Sequence, residues 1–257
     1  MGIERIVLKM GGSILFPETQ ISLDHLQCIG RGLCDFIIEV KNINEVAKIC
    51  IVIGGGAIAR QYISVAEKMG VNAYLRDELG IEVTRLNAKL ISYVLKTIFS
   101  QINRDDLAEE VAEEVPRDGG EVLRLLKQHD IVMIGGFFPG QSTIGPAALT
   151  AEVIHADLLI IATNVPGIYT EDPAKKSDAK RITRISPKEL RALLAGYEAK
   201  PGTYKVIDLV AIKVIERSKI PTIIVDGREV KNIIKAFKSY VKGEFKEIET
   251  IGTLIVS

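Results

Sequence analysis

Tryptophan is missing from this chain altogether, and cysteine and histidine are scarce, with three of each in 257 residues. Cys28, Cys34 and Cys50 show no C-x-x-C spacing. An odd, sparse count argues against a disulfide framework and fits a reducing cytosol, so the expected location is the cytoplasm. The histidines are scattered, with no H-E-x-x-H pair to hold zinc. Net charge is missing too: 33 Lys and Arg offset 33 Asp and Glu. That gives no electrostatic case for nucleic acid or an anionic membrane surface as a partner. The opening MGIERIVLKMGGSIL is too polar and too broken for a signal peptide or a spanning helix. No short repeat or low-complexity linker interrupts the chain, whose length suits one large α/β domain or two lobes. The lack of Trp beside plentiful Ile and charged residues is compatible with a thermophilic source.

What the chain does have is alternation. Arg5 to Met10, apolar apart from its ends and Lys9, reads as a strand, as does Lys48 to Ile53. HDIVMIGGFFPG (129–140), ADLLIIATNVPG (156–167) and SKIPTIIVDG (218–227) are three more buried strands, each running into glycine. Helical patterns fill 21–40, 57–69, 79–99, 146–155, 187–195, 206–218 and 229–241. The charged run RDDLAEEVAEEVPRDGGE reads as a solvated surface segment. This rhythm predicts an α/β fold: a three-layer α/β/α sandwich with a mainly parallel central sheet.

The glycines locate the chemistry. KMGG, IGGG, IGGFFPG and TNVPG all fall at the carboxyl ends of expected strands, the edge that carries the ligand crevice in open α/β sheets. In KICIVIGGGAIARQYI the glycines lead straight into a helix, whose free N–H groups favour an anion such as phosphate. Four such ends suggest a crevice for something long and multiply anionic. One reading is a dinucleotide fold, since GGGAIA matches G-x-G-x-x-A and Asp77 lies a suitable distance onward for a ribose contact. That fingerprint belongs on the first strand of its unit, however, and KMGG already occupies an earlier strand end. A Walker-type NTPase needs G-x-x-x-x-G-K-S/T, which is absent, and GQST is only a near miss to the G-x-S-x-G of serine hydrolases. A small-molecule kinase of non-Walker type is the remaining reading. Lys9, alone in an apolar strand, is costly to bury unless paired; it either snorkels from the strand end or meets charge.

VLKMGGS, IVIGGGAIARQYI, GGFFPGQST, IIATNVPGIYTEDP and PGTYKVIDLVAIKVIERSKI occur in that order. In this combination the chain resembles the amino acid kinase superfamily, and within it the UMP kinases of archaeal type, from Ile6 to about Val225. The resemblance implies a single domain over 1–257, with an acceptor lobe at 1–150 and an ATP lobe at 151–257. It implies transfer from ATP to UMP, with magnesium, in a homo-oligomer expected to be a hexamer built as a trimer of dimers. Lys9 would contact the transferring phosphate, and Gly11, Gly12 and Ser13 would cradle the donor phosphates. Gly55, Gly56 and Arg60 would hold the acceptor phosphate, and Asp77 the ribose hydroxyls. Gly140, Gln141, Ser142 and Thr143 would read the base. Thr163, Asn164, Tyr169, Asp172 and Pro173 match the nucleoside-triphosphate segment, with Tyr169 flanking adenine. Asp208 stands where UMP kinases carry an aspartate, with an electrostatic role toward magnesium or its waters; no metal ligand is assigned beyond that. Read without the resemblance, Asp77 is a plausible helix N-cap before ELGIEVTRLN, and Asp208 favours a helix start.

The match has departures. Many relatives carry an acid after the base loop where this chain has Ile144, within Thr143-Ile144-Gly145-Pro146-Ala147-Ala148, and Pro166 replaces the aspartate of N-V-D-G. Proline removes an N–H as well as that carboxylate. The isopentenyl phosphate kinase branch expects a histidine soon after GGG, and none stands near Arg60. A relative that holds nucleotide or oxoanion without turnover is the reading of a different class.

Overall fold

The computed structural model describes residues 2–171, 173, 176, 178–198 and 207–256. β1 (Arg5–Met10) turns into the short α1 (Gly12–Leu15), and α2 (Leu23–Ile43) leads to β2 (Lys48–Ile53). Two helices follow, α3 (Gly56–Lys68) and the long α4 (Ala73–Gln101). The short α5 (Asp105–Glu110) and α6 (Gly119–Leu125) precede β3 (Ile131–Ile134), and α7 (Ile144–Val153) precedes β4 (Leu158–Thr163). The rest comprises β5 (Ile168–Tyr169), β6 (Arg181–Ile182), β7 (Arg184–Ile185), α8 (Pro187–Glu198), α9 (Leu209–Ser218), β8 (Thr222–Asp226), α10 (Val230–Lys242), α11 (Phe245–Ile251) and β9 (Gly252–Ile255).

The main sheet has the order β3-β2-β1-β4-β8-β9-β7, and only the β8–β9 pair is antiparallel. The expected mainly parallel sheet is therefore present. After β1 the chain builds outward through β2 and β3, then returns to lay β4 on the other side of β1. That reversal is the switch point where open α/β sheets form their crevice. Alternate residues of each strand enter opposite layers, as the strand period of two requires. Ile6, Leu8 and Met10 pack with Leu33, Ile37, Ile91 and Phe237 from α2, α4 and α10. Val7, Cys50 and Val52 pack with Ala147, Ala151, Ile212 and Ile215 from α7 and α9. Lys9 shares Val7's face of β1, and so lies on the side of α7 and α9.

Three local expectations need correction. The charged run is only partly solvated: Leu107, Ala108, Val111, Ala112 and Pro116 are buried, because α5 and the segment after it turn their apolar residues inward. The helix expected from 79 begins six residues earlier at Ala73, where the Asn72 side chain accepts from the Leu75 N–H. Asp77 is therefore inside α4 and caps nothing. The carboxyl-terminal segment adds α11 and β9, with β9 inserted between β8 and β7.

Candidate active site

At the switch point the first two glycine turns press against each other. A Cβ on Gly12 would lie 2.1 Å from the Gly56 nitrogen, and one on Gly54 would lie 2.4 Å from the Gly12 nitrogen. Neither position tolerates a side chain, so these glycines admit another turn of this chain before they admit any ligand. Gly56 also has φ +64°, a left-handed backbone that glycine adopts without strain. Among the described residues the N–H groups of Gly55 and Gly56 have no protein acceptor. They stand free at the start of α3, as unpaired helix-start donors suited to an anion.

Beside them is a cavity of about 370 Å³. It brings together Gly55, Gly56, Arg60, Asp77, Gln141, Ser142 and Thr143, residues that the sequence scatters over three segments. Arg60 is exposed at its rim, with no ion pair among the described residues. Gly140 is tethered rather than lining, since its N–H donates to the Asp77 carboxylate at 2.8 Å. The Gln141 amide oxygen is buried without a donor, an unsatisfied acceptor worth about 1–3 kcal/mol. The sequence reading missed Gly80, Ile81, Thr84 and Phe138, which line the wall with Ala59, Ile63 and Gly136. Asp77, Gly80, Ile81 and Thr84 stand at i, i+3, i+4 and i+7, one face of a helix. That spacing would have revealed them had α4 been started at Asn72. Thr84 also accepts from the Gly136 N–H at 2.6 Å, fixing the turn after β3.

Lys9 and Asp208 are near enough for the charge of one to act on the other, without an ion pair between them among the described residues. Lys9 is 8% exposed, so it does not snorkel into solvent. Burial lowers its pKa to about 8, and the negative charge of Asp208 opposes that shift. Asp208 is the N-cap of α9, one oxygen accepting from Ala211 N–H at 2.8 Å. Its other oxygen accepts from the Ser142 hydroxyl at 2.6 Å. The helix-start reading of Asp208 is thus correct as geometry, and it coexists with a charge facing Lys9. Ser142 joins the loop at the cavity to the start of α9.

The remaining residues cluster around β1 and β4, which are hydrogen-bonded neighbours. The Gly11 N–H donates to the Ala162 carbonyl at 3.0 Å, and Ser13 sits half-buried in α1. Thr163 ends β4, with Asn164 next to it and exposed, and the Thr163 carbonyl accepts from Gly227 N–H at 2.8 Å. Tyr169 lies in β5, which pairs with β6, and Pro173 is half-buried in the connecting segment. Asp172 lies outside the described residues. Ile144 is 7% exposed and belongs to the apolar layer under α7, so the carboxylate missing from that position has been replaced by core packing. The Pro166 carbonyl accepts from the Arg181 guanidinium at 3.4 Å.

Comparison with known proteins agrees with this geometry. The profile of the amino acid kinase family matches residues 4–226. A uridylate kinase of Archaeoglobus fulgidus is 37% identical over 251 residues, covering 98% of this chain and 99% of that protein. One from Hyperthermus butylicus is 41% identical over 250 residues, 97% of each. The crystal structure of the A. fulgidus uridylate kinase superposes with a TM-score of 0.76, covering 98% of this chain and 99% of that one. A UMP kinase from Bacillus anthracis, 21% identical, reaches the same TM-score of 0.76 over 100% of this chain and 97% of that one, a likeness of fold. Sequence motifs, switch-point geometry and near-complete coverage of these relatives coincide: the chain belongs to the amino acid kinase family.

Proposed function

We propose that the protein transfers the terminal phosphoryl group of ATP to UMP, giving ADP and UDP. The observation that carries this reading is the 370 Å³ cavity, which assembles a free arginine, two unpaired glycine N–H groups, a carboxylate and a polar loop. Phosphate, ribose and uracil find their complements there in that order. Arg60 and the N–H groups of Gly55 and Gly56 hold the acceptor phosphate. Asp77 accepts from the ribose hydroxyls, and Gln141 with Ser142 and Thr143 faces the base; a uracil N–H is a donor of the kind the Gln141 oxygen lacks. The names of the relatives support UMP over other acceptors.

The donor reading places ATP over the ends of β1 and β4, with Gly11, Gly12 and Ser13 on its phosphates. Thr163, Asn164, Tyr169, Asp172 and Pro173 lie toward the nucleoside. Residues 1–150 then form the acceptor lobe and 151–257 the ATP lobe. Lys9 stands between them and stabilises charge as it passes from donor to acceptor. No general base is needed, because the acceptor phosphate is already a nucleophilic anion. Among the described residues there is no cluster of three or more His, Cys, Asp or Glu. Magnesium in a kinase takes one or two carboxylates and completes its shell with phosphate and water. Asp208 is the carboxylate in place to organise it, and the ion when bound neutralises the polyphosphate charge.

Self-association belongs to this reading. Tyr62 and Val65 of α3, Met69 at its carboxyl-terminal cap, and Leu75 and Leu86 of α4 are exposed apolar side chains on neighbouring helices, a patch of the kind that marks an interface. The family resemblance supports reading it as a contact within a homo-oligomer, with a hexamer of three dimers as the expected assembly. The free cysteines Cys34 and Cys50 are buried, and burial raises both thiols to about 12. Inert thiols of this kind fit a cytoplasmic enzyme. No helix among the described residues is long and apolar enough to cross a membrane.

Coupled ADP release over a panel of nucleoside monophosphates tests the reaction. UMP should turn over much faster than CMP or AMP; equal rates for CMP and UMP would rule out the uridylate assignment. Pro166 favours one alternative, a holder of nucleotide without turnover. Tight UMP binding with no ADP release from any monophosphate would establish it.

A further inference from the structure

Beneath the acceptor cavity, one buried polar side chain has no part in the reading above. Asn87 of α4 is 3% exposed. Its amide nitrogen donates to two consecutive carbonyls, those of Gly54 and Gly55, each at 3.2 Å. Two carbonyl neighbours fix the amide orientation, because only the nitrogen end can donate to them. A trans peptide sets its C=O and the following N–H on opposite sides. Drawing the Gly54 and Gly55 carbonyls toward Asn87 therefore turns the N–H groups of Gly55 and Gly56 away from it. Their nitrogens stand close to Gly12, where a Cβ would lie 2.8 Å from that of Gly55 and 2.1 Å from that of Gly56, and both residues line the cavity. This is the side of the crevice toward β1 and Lys9, and both N–H groups are unpaired there.

We infer that Asn87 is a positioning residue for phosphoryl transfer, which holds the β2–α3 turn so that the Gly55 and Gly56 N–H groups are preset for the acceptor phosphate. The inference rests on the UMP kinase reading. It explains why an asparagine occupies a buried place on α4 that a leucine would fill more cheaply. Three consecutive glycines confer no preferred conformation on their own. A donor set that must be ordered on binding costs affinity, and one ordered beforehand does not. Asn87 touches no substrate; it acts through the two peptides it grips.

A purely structural role predicts that loss of Asn87 weakens all ligands together. A positioning role predicts a loss confined to the phosphate. Calorimetry with UMP and with uridine, on wild type and on Asn87→Leu, separates the two. In the variant, UMP should bind about 10- to 100-fold more weakly, the scale of one or two charge-assisted hydrogen bonds. Uridine affinity and the KM for ATP should be unchanged. Equal UMP affinity in variant and wild type would overturn the inference and leave the kinase reading standing, as would a parallel loss of UMP and uridine. A wild type that binds neither ligand would remove the kinase reading and the inference with it. Should Asn87→Leu fail to fold, amide NMR of wild type decides. The Gly55 and Gly56 resonances should move on adding UMP and stay in place with uridine; if neither responds to UMP, the inference is wrong.

Discussion

A lysine in the middle of apolar packing is costly unless charge comes to meet it, and Lys9 shows both halves of that bargain. Burial holds its pKa near 8, against an ordinary 10.5. Between those values the unfolded chain keeps the proton while the folded one loses it, so this group's contribution to stability rises with pH from about 8 to 10.5. Activity runs the other way, because the proposed role needs the cation. The kcat/KM of the free enzyme should fall as pH rises through about 8. Lys9→Met should keep normal binding of both nucleotides while kcat drops at least about a hundredfold, the scale for one preorganised charge-stabilising donor. Full kcat in that variant would reduce Lys9 to a structural residue. Arg60→Ala should raise the UMP KM about 10- to 150-fold and spare ATP, from the loss of one charge-assisted contact. Lost ATP affinity with UMP unchanged would mean that the lobes are reversed. Lys9 was legible in the sequence because it is a charge out of keeping with its neighbours, whereas Arg60 was singled out by the family resemblance. Thr84 was not, since a threonine in a helix carries no such contrast until the partner of its hydroxyl is known.

The strands were legible as elements because a parallel sheet covered on both faces writes itself as short, continuous apolar runs. β9 escaped notice because GTLIV is brief and follows a charged helix, so its burial depends on β8 and β7 and not on its own pattern. The start of α4 was misplaced for a similar reason: Asp77 looked like a cap, while the residue that caps, Asn72, sits in the less conspicuous VNAYL. The glycine turns were read as a ligand site, and the structure adds a second reason for the glycines. At Gly12 and Gly54 the missing side chain makes room for the opposing turn. Gly12→Ala would drive a methyl into backbone, where no rotamer change can relieve it. It should lower the unfolding free energy by at least about 2 kcal/mol in urea titration. An unchanged midpoint would show that the turns can separate freely.

At the scale of the whole molecule, the apolar face on α3 and α4 is made of none of the residues that line the acceptor cavity. An assembly through that face would therefore leave the acceptor cavity open. Met69, 78% exposed, makes a direct test: Met69→Asp should shift the sedimenting species toward a smaller oligomer with its fold intact. A monomeric wild type would dispose of the interface. The loop at the cavity is tied to the start of α9, because both oxygens of Asp208 are engaged, one by the α9 cap and one by Ser142. Asp208, drawn toward a magnesium ion carried by the donor phosphates, would leave Ser142, and the released hydroxyl would become available to the base. Each substrate then prepares the ground for the other, and thermodynamic linkage makes the help equal in both directions. UMP affinity measured with a non-hydrolysable ATP analogue present should rise by the same factor as analogue affinity measured with UMP, typically about 5- to 150-fold in coupled systems. Ser142→Ala should bring that factor to one, leaving two sites that fill without regard to each other.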